Sequence, residues 1–253
     1  MYFESHAHYD DKQFDDDREA VIEGLIESGI DHVINVGCDM NSSKMSIEMA
    51  KKHEFMYCAV GVHPHGVSDM SESDIIQLKE YSKEEKVVAV GEIGLDYYYD
   101  YAPREKQRYW FERQMELSLE VDLPVIIHSR EATEETFEIV KKSGVRKGVV
   151  HCYLGSLETA RAYAELGFSI GIGGVVTYKN AKNLLNVVEH MPISRILIET
   201  DAPYLSPEPK RGKRNNSKYL KYVTEKIALI KEMTPKEVAE ATSENAKLLF
   251  FQQ

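Results

Sequence analysis

Short, nearly continuous apolar runs alternate along this chain with longer stretches whose apolar residues recur at helical spacing. The first run ends at His6 and His8. Beyond it, Asp15 to Ser28 carries Ala20, Val21, Leu25 and Ile26 at helical spacing and closes at Gly29. His32 to Gly37 reads as a strand and Ser42 to Lys52 as a helix. Phe55 to Val62 is a run of β-formers ending at His63-Pro64-His65. Ser71 opens the next helix, with Asp74 three residues on as an approximate capping box. Val87 to Gly91 is a strand that continues into Glu92-Ile93-Gly94-Leu95-Asp96, and Pro103 starts a long helix from Arg104 to about Val121. The alternation goes on through a strand at 124–128, a helix at 133–143, a strand at 148–151 and a helix at 157–166. A strand at 168–173, a helix near 180–190 and a strand at 196–201 follow, and helices near 218–231 and 235–250 end the chain.

Apolar runs of this kind, separated by helices, describe parallel strands buried on both faces. Eight of them favour an α/β fold of the (β/α)8 TIM-barrel type over a doubly wound sheet, and such barrels carry their chemistry at the C-terminal ends of the strands. One domain over 1–253 is expected, since barrels routinely reach this length.

Composition narrows the class. With 43% hydrophobic and 29% charged residues the chain reads as an ordinary globular protein. No run approaches the ~18 apolar residues of a membrane span, and no early segment resembles a signal peptide. Cys38, Cys58 and Cys152 are odd in number and widely spaced, which fits a reducing compartment. Each reads as core or filler, and Cys152, next to His151 on a strand, would point away from it. The expectation is therefore a soluble, cytoplasmic protein with no membrane association and no evident obligate protein partner. The net charge of −11 argues against a protein that coats nucleic acid through a broad basic face. A local grip on one or two phosphates is still compatible with it, because bound cations can dominate the field in a site.

At the strand ends a constellation emerges. The first strand supplies His6 and His8, two apart and so on one face; the third supplies His63 and His65; the fourth Glu92; the fifth His128; the sixth His151; the eighth Asp201. Four histidines and two carboxylates make a mixed nitrogen and oxygen ligand set for two divalent ions. Paired metals ~3.5–4 Å apart stabilise both the attacking and the leaving oxygen of an in-line displacement. Glu92, from a central strand, is the natural bridge, and Asp201 can ligate one ion and take a proton from water. His63 and His65 are candidates for substrate-phosphate or supporting contacts. His32, His53 and His190 fall at strand starts or in helices, away from that end.

The dense basic run Lys210-Arg211-Gly212-Lys213-Arg214 lies after the eighth strand and is a candidate phosphate clamp, with Arg211 and Arg214 offering bidentate forks. Arg130 is a further phosphate candidate. Gly171, Gly173 and Gly174 suit either phosphate approach or tight turning. Tyr97, Tyr98, Tyr99, Tyr153 and Tyr204 lie near the same rim and can stack on a base.

These segments together are recognisable. Ser5-His-Ala-His8, Gly61-Val-His-Pro-His65, Gly91-Glu-Ile-Gly-Leu-Asp-Tyr97, Gln107 through Phe111 to Gln114, Pro124-Val-Ile-Ile-His-Ser-Arg130, His151-Cys-Tyr153 with Gly155, Glu199-Thr-Asp-Ala-Pro-Tyr-Leu205 and Arg211-Gly-Lys-Arg-Asn215 occur in order. On these motifs the chain resembles the TatD family of metal-dependent hydrolases over essentially its whole length. The resemblance implies that His6, His8, Glu92 and Asp201 hold one metal, and Glu92, His128 and His151 the other. It implies a magnesium- or manganese-dependent deoxyribonuclease, partly a 3′-to-5′ exonuclease on single-stranded DNA, with zinc or nickel as alternative bound species. The chain departs from the family pattern at Glu4, commonly Asp, at Tyr153, commonly Phe, and at Asn216-Ser217, where Pro is usual soon after the basic run. None of these removes a metal ligand.

Two other functions compete with DNA cleavage. One is a metallohydrolase of the same barrel type acting on a non-nucleic-acid ester, amide or phosphoester. Related barrels often bridge their metals with a carbamylated lysine on the fourth strand, and Val87-Val-Ala-Val-Gly-Glu92 has no lysine. The other is a non-catalytic interaction protein, which would have no use for a converging ligand set.

Overall fold

Every strand of the sheet pairs in parallel with the next one in chain order. A computed structural model describes residues 1–252. The strands are β1 (Tyr2–Ala7), β2 (Ile30–Val36), β3 (Met56–Val60), β4 (Val87–Asp96), β5 (Val125–Arg130), β6 (Gly148–Val150), β7 (Ser169–Ile172) and β8 (Ile196–Ile198). Between them lie α1 (Arg18–Ile26), α2 (Met40–Lys52), α3 (Glu72–Tyr81), α4 (Arg104–Val121), α5 (Thr133–Ser143), α6 (Leu157–Glu165) and α7 (Lys182–His190). Two helices, α8 (Leu220–Lys231) and α9 (Pro235–Phe250), follow β8. The sheet closes on itself as a (β/α)8 TIM barrel. No helix among the described residues is long and apolar enough to cross a membrane.

The element bounds follow the sequence closely where local signals are strong. The helices at 104–121, 133–143 and 235–250 begin and end as expected. Ser71 and Asp74 form the reciprocal capping box at the start of α3. Differences gather at the C-terminal strand ends. β6 stops at Val150 and β8 at Ile198, short of the expected 151 and 201. There the chain leaves the ladder: Cys152 and Asp201 adopt left-handed backbone, with φ of 44° and 57°. Strand alternation therefore fails to describe Cys152. Its amide donates to Glu199, and burial pushes its thiol well up, with the Asp201 and Glu199 charges adding to that.

Alternate strand residues sort into two apolar clusters. Ile34, Ile126, Val149 and Leu197 belong to the inner one, whereas their neighbours Val33, Val125, Val150 and Ile196 belong to the outer one beneath the helices. Phe3, Ala246 and Phe250 join the inner cluster, and the Phe3 ring stacks on His32 and Phe250, so α9 stoppers the end of the barrel opposite the strand C-termini. His32 and Phe3 thus explain each other as packing.

The seam between β1 and β8 is tied at the C-terminal mouth. Ala7 bridges Ala202, the Asp201 amide donates to the His6 carbonyl (3.0 Å), and the His8 amide donates to the Ala202 carbonyl (2.7 Å). Glu4 accepts from the Thr200 amide and hydroxyl at 2.8 and 2.6 Å. Barrel closure and the approach of His6, His8 and Asp201 are thus the same set of hydrogen bonds.

Two glutamines of α4 fasten the neighbouring strand ends. Gln107 accepts from the Asp96 amide and donates to the Asp96 and Ala102 carbonyls. Gln114 accepts from the Val62 amide (2.8 Å) and donates to the Val62 carbonyl (3.0 Å), holding the segment that leads into His63. Between Glu92 and Asp96, Gly94 has φ of 145°, and any Cβ there would collide with the His128 carbonyl, so β4 and β5 approach more closely than a side chain permits. Replacing Gln114 with leucine keeps the volume and strands two buried backbone groups. Urea unfolding of Gln114→Leu should show a loss of about 2–4 kcal/mol; an unchanged midpoint would contradict the fastening role.

Candidate metal centre

At the C-terminal mouth the two oxygens of Glu92 face different partners. Oε2 is 3.6 Å from His6 Nε2 and 3.6 Å from His8 Nε2. Those two nitrogens are 3.0 Å apart, and Asp201 Oδ1 stands 3.8 and 3.4 Å from them. Oε1 is 2.8 Å from His128 Nδ1 and 2.7 Å from His151 Nε2, with His63 Nε2 at 3.6 Å. Six residues from five strands thus meet around one carboxylate. His6, Glu92 and His151 are buried, and Asp201 is partly exposed in the floor of an open cleft of about 780 Å³. The β1 ladder is irregular between Glu4 and Ala7, so the pairing of His6 and His8 comes from the end of the strand and the seam rather than from a plain pleat.

The donor chemistry suits two cations. The His8 Nδ1–H donates to the Val36 carbonyl (2.7 Å), leaving its Nε2 lone pair free to ligate. The His128 Nε2–H points to Asp96 Oδ2 (3.1 Å), leaving Nδ1 free in the same way. Asp96 also accepts from His65 Nε2 (3.0 Å) and from the Tyr98 and Tyr99 amides. Burial opposes its charge, but the His128 bond and the Tyr99 amide hold it well below the usual carboxylate range. Burial likewise opposes the charge of Glu92, yet the imidazoles around it, His151 foremost, hold its carboxyl well below the usual range. Burial in the cleft floor opposes the charge of Asp201, and the neighbouring His8, His151 and His6 rings hold its carboxyl below the usual range. Cys38 lies 3.6 Å from Glu92 Oε2; burial pushes its thiol up to about 12, so it offers an S–H and no thiolate.

His63 differs from the rest. The His65 amide donates to His63 Nδ1 (3.1 Å), and burial holds this ring well below the usual histidine range. A neutral ring accepting at Nδ1 carries its proton on Nε2, so His63 presents a donor into the cleft rather than a metal lone pair. Its 3.6 Å separation from Glu92 is too long for a hydrogen bond, which leaves that donor free.

Arg130 lines the cleft with its guanidinium over the rings of Tyr98 (4.0 Å) and Tyr99 (4.7 Å), and Tyr99 stacks with Tyr101. Tyr204 also lines the cleft and donates to Asp11 (2.6 Å). Other candidates for substrate contact fall elsewhere. Tyr153 is buried, with its hydroxyl on the Ser156 carbonyl (2.6 Å), and cannot stack on a base. Arg211 lies over the Tyr178 ring outside the cleft lining. Arg214 is committed to Asp17 (2.6 and 2.8 Å) and packs over Phe14. Asn215 explains the basic loop instead, since its side-chain amide donates to the Thr200 and Tyr204 carbonyls on either side of Asp201. Tyr97 bonds Glu135. Gly171 makes room for the Glu199 carboxylate, and Gly174 for the backbone of Leu205 and Pro207, so neither is needed for phosphate approach.

Asp96, Cys38 and Glu199 also belong to the site, and none of them stands out as a ligand from strand-end position alone. For Asp96 the signal was present: it lies two and four residues beyond Gly94 and Glu92, on the same face of β4.

Glu4, at the seam, is fully buried, and burial pushes its carboxyl up to about 8 against the bonds from Thr200. Such a group binds its proton more tightly in the fold than in the unfolded chain. Its stabilising contribution is complete below the ordinary carboxyl range and declines as pH climbs toward 8. Melting temperatures recorded from about pH 5 to about pH 9 should fall less steeply for Glu4→Gln than for the parent chain; parallel curves would contradict this.

The chain matches the family described as TatD related DNase over residues 3–251. It is 46% identical over 252 residues to the metal-dependent hydrolase YabD of Bacillus subtilis, covering 99% of each chain. It is 33% identical over 256 residues to TatD of a Rahnella species, named a 3′-5′ ssDNA/RNA exonuclease, covering 98% of this chain and 97% of that one. The crystal structure of YjjV, a TatD homologue from Escherichia coli, superposes with a TM-score of 0.93 at 31% identity, covering 98% and 97% of the two chains.

Proposed function

The chain belongs to the TatD family of metal-dependent hydrolases, and on that premise we propose that it is a two-metal phosphodiesterase that cleaves single-stranded DNA from a 3′ end. The observation that carries this reading is the division of Glu92: one oxygen faces His6, His8 and, beyond them, Asp201, the other His128 and His151. His6, His8, Glu92 and Asp201 would hold one divalent ion, and Glu92, His128 and His151 the other. Magnesium or manganese is the functional pair and zinc or nickel an alternative occupant. A pair of divalent ions there would offset the negative charge of a phosphodiester and make water a better nucleophile.

The remaining roles belong to the chain. Asp201, ionised in the cleft floor, takes a proton from the attacking water. The free Nε2–H of His63 donates to a phosphate oxygen, and His65 is held by Asp96 beside it. Arg130 and Tyr99 form one wall, a cation stacked on an aromatic ring, which suits a phosphate and a base together. Asp10, Asp11 and Asp39 line the cleft as well, so the site grips phosphate locally within an acidic surround. The exonuclease name of the Rahnella relative supports the choice of substrate.

Nucleotide release from a single-stranded oligodeoxynucleotide, measured with each of magnesium, manganese and zinc, tests the reading. Asp201→Asn should abolish it. Hydrolysis of an acyl, amide or small phosphoester panel with none of DNA would overturn it. Elemental analysis should find Glu92→Gln depleted of both ions and His151→Ala mainly of one. Arg130→Ala should raise KM for the oligonucleotide about tenfold, about 1.4 kcal/mol of binding, whereas Arg214→Ala should leave KM unchanged and lower the melting temperature.

A further inference from the structure

Beneath the cleft, three buried polar atoms have no hydrogen-bond partner among the described residues: His6 Nδ1, His151 Nδ1 and Glu199 Oε2. Their residues are 0%, 5% and 0% exposed and come from the ends of three strands. One nitrogen of each ring and a Glu199 oxygen lie within 4.8 Å of one another. The Glu199 carboxylate reaches this point through the gap at Gly171, where a Cβ would collide with it, and its Oε1 accepts from the Cys152 amide. His151 Nδ1 stands 3.7 Å from that oxygen, beyond direct hydrogen bonding.

Two of the four ligand imidazoles already have their far nitrogen fixed, His8 by the Val36 carbonyl and His128 by Asp96. The unserved pair is His6 and His151, one from each cation position. With Nε2 of each ring committed to the cleft, its proton sits on Nδ1. Two N–H donors and a carboxylate oxygen around one small space match a water molecule, which accepts twice and donates once. A cation would meet two ring protons there.

We propose that a buried water links Glu199 to the Nδ1–H groups of His6 and His151, making Glu199 the positioning residue that fixes one ligand of each cation position. This rests on the ligand assignment proposed above. It also accounts for a buried acid with an otherwise idle oxygen directly under the centre.

Titration with Mn2+ of the full chain stripped by chelator, paired with melting temperatures of the metal-free proteins, tests it. Wild type should bind two ions. Glu199→Leu should weaken both by about 10–100-fold, far more than the modest drop in metal-free melting temperature that stranding the Cys152 amide brings. Glu199→Gln keeps a carbonyl for the Cys152 amide but turns an NH2 donor toward the water, so it should keep the metal-free melting temperature of wild type while still binding both ions more weakly. Unchanged binding by Glu199→Leu, or weakening only in step with a lower metal-free melting temperature, would overturn the proposal. Failure of wild type itself to bind Mn2+ would overturn the ligand assignment beneath it. If Glu199→Leu does not fold, a high-resolution crystal structure of wild type decides, by density for a water bonded to all three atoms or by an empty chamber.

Discussion

A single buried carboxylate sets the terms for this structure. Glu92 is surrounded by five imidazoles with ring nitrogens 2.7 to 3.6 Å from its oxygens. A charge so deeply placed persists only when positive or polarised partners offset its lost hydration. Each strand that brings such a partner must end at the same height, which constrains where β1, β3, β5 and β6 stop. The seam bonds around Ala7 and Ala202, the glutamines of α4 and the loop through Asn215 all serve that alignment.

Around this acid the imidazoles are differentiated by what holds their far side. Backbone carbonyl, carboxylate and backbone amide fix which nitrogen carries the proton and which one faces the centre, so chemically identical side chains become lone-pair donors at His8 and His128 and a proton donor at His63. An HxH pair read from sequence cannot reveal that distinction. His8 and His63, each from an HxH pair that looks alike in the chain, face the centre in opposite protonation senses.

Much of the fold was legible because parallel strands buried on both faces leave an unmistakable alternation, and because Pro103, Ser71 and Pro235 punctuate helices locally. The converging ligands were legible for the same reason, since barrel topology brings strand ends together whatever their separation in sequence. The basic run at 210–214 misled, because charge alone does not show whether a guanidinium faces a cleft or a neighbouring acid; Arg214 found Asp17. Tyr153 misled similarly, its ring being drawn into the core by the Ser156 carbonyl. Glu199 escaped notice because its place depends on Gly171 of the neighbouring strand, a contact with no local signature.

A net charge of −11 and the proposed action on phosphodiesters are compatible because the site's own cations would supply the attraction. Everything then hangs on whether two ions share Glu92. Anomalous diffraction from a crystal soaked in manganese measures this directly. Two peaks are expected, one between Glu92 Oε2 and His6, His8 and Asp201, the other between Oε1 and His128 and His151. A single peak, or peaks gathered at His65 and Asp96 with Glu92 unligated, would contradict it.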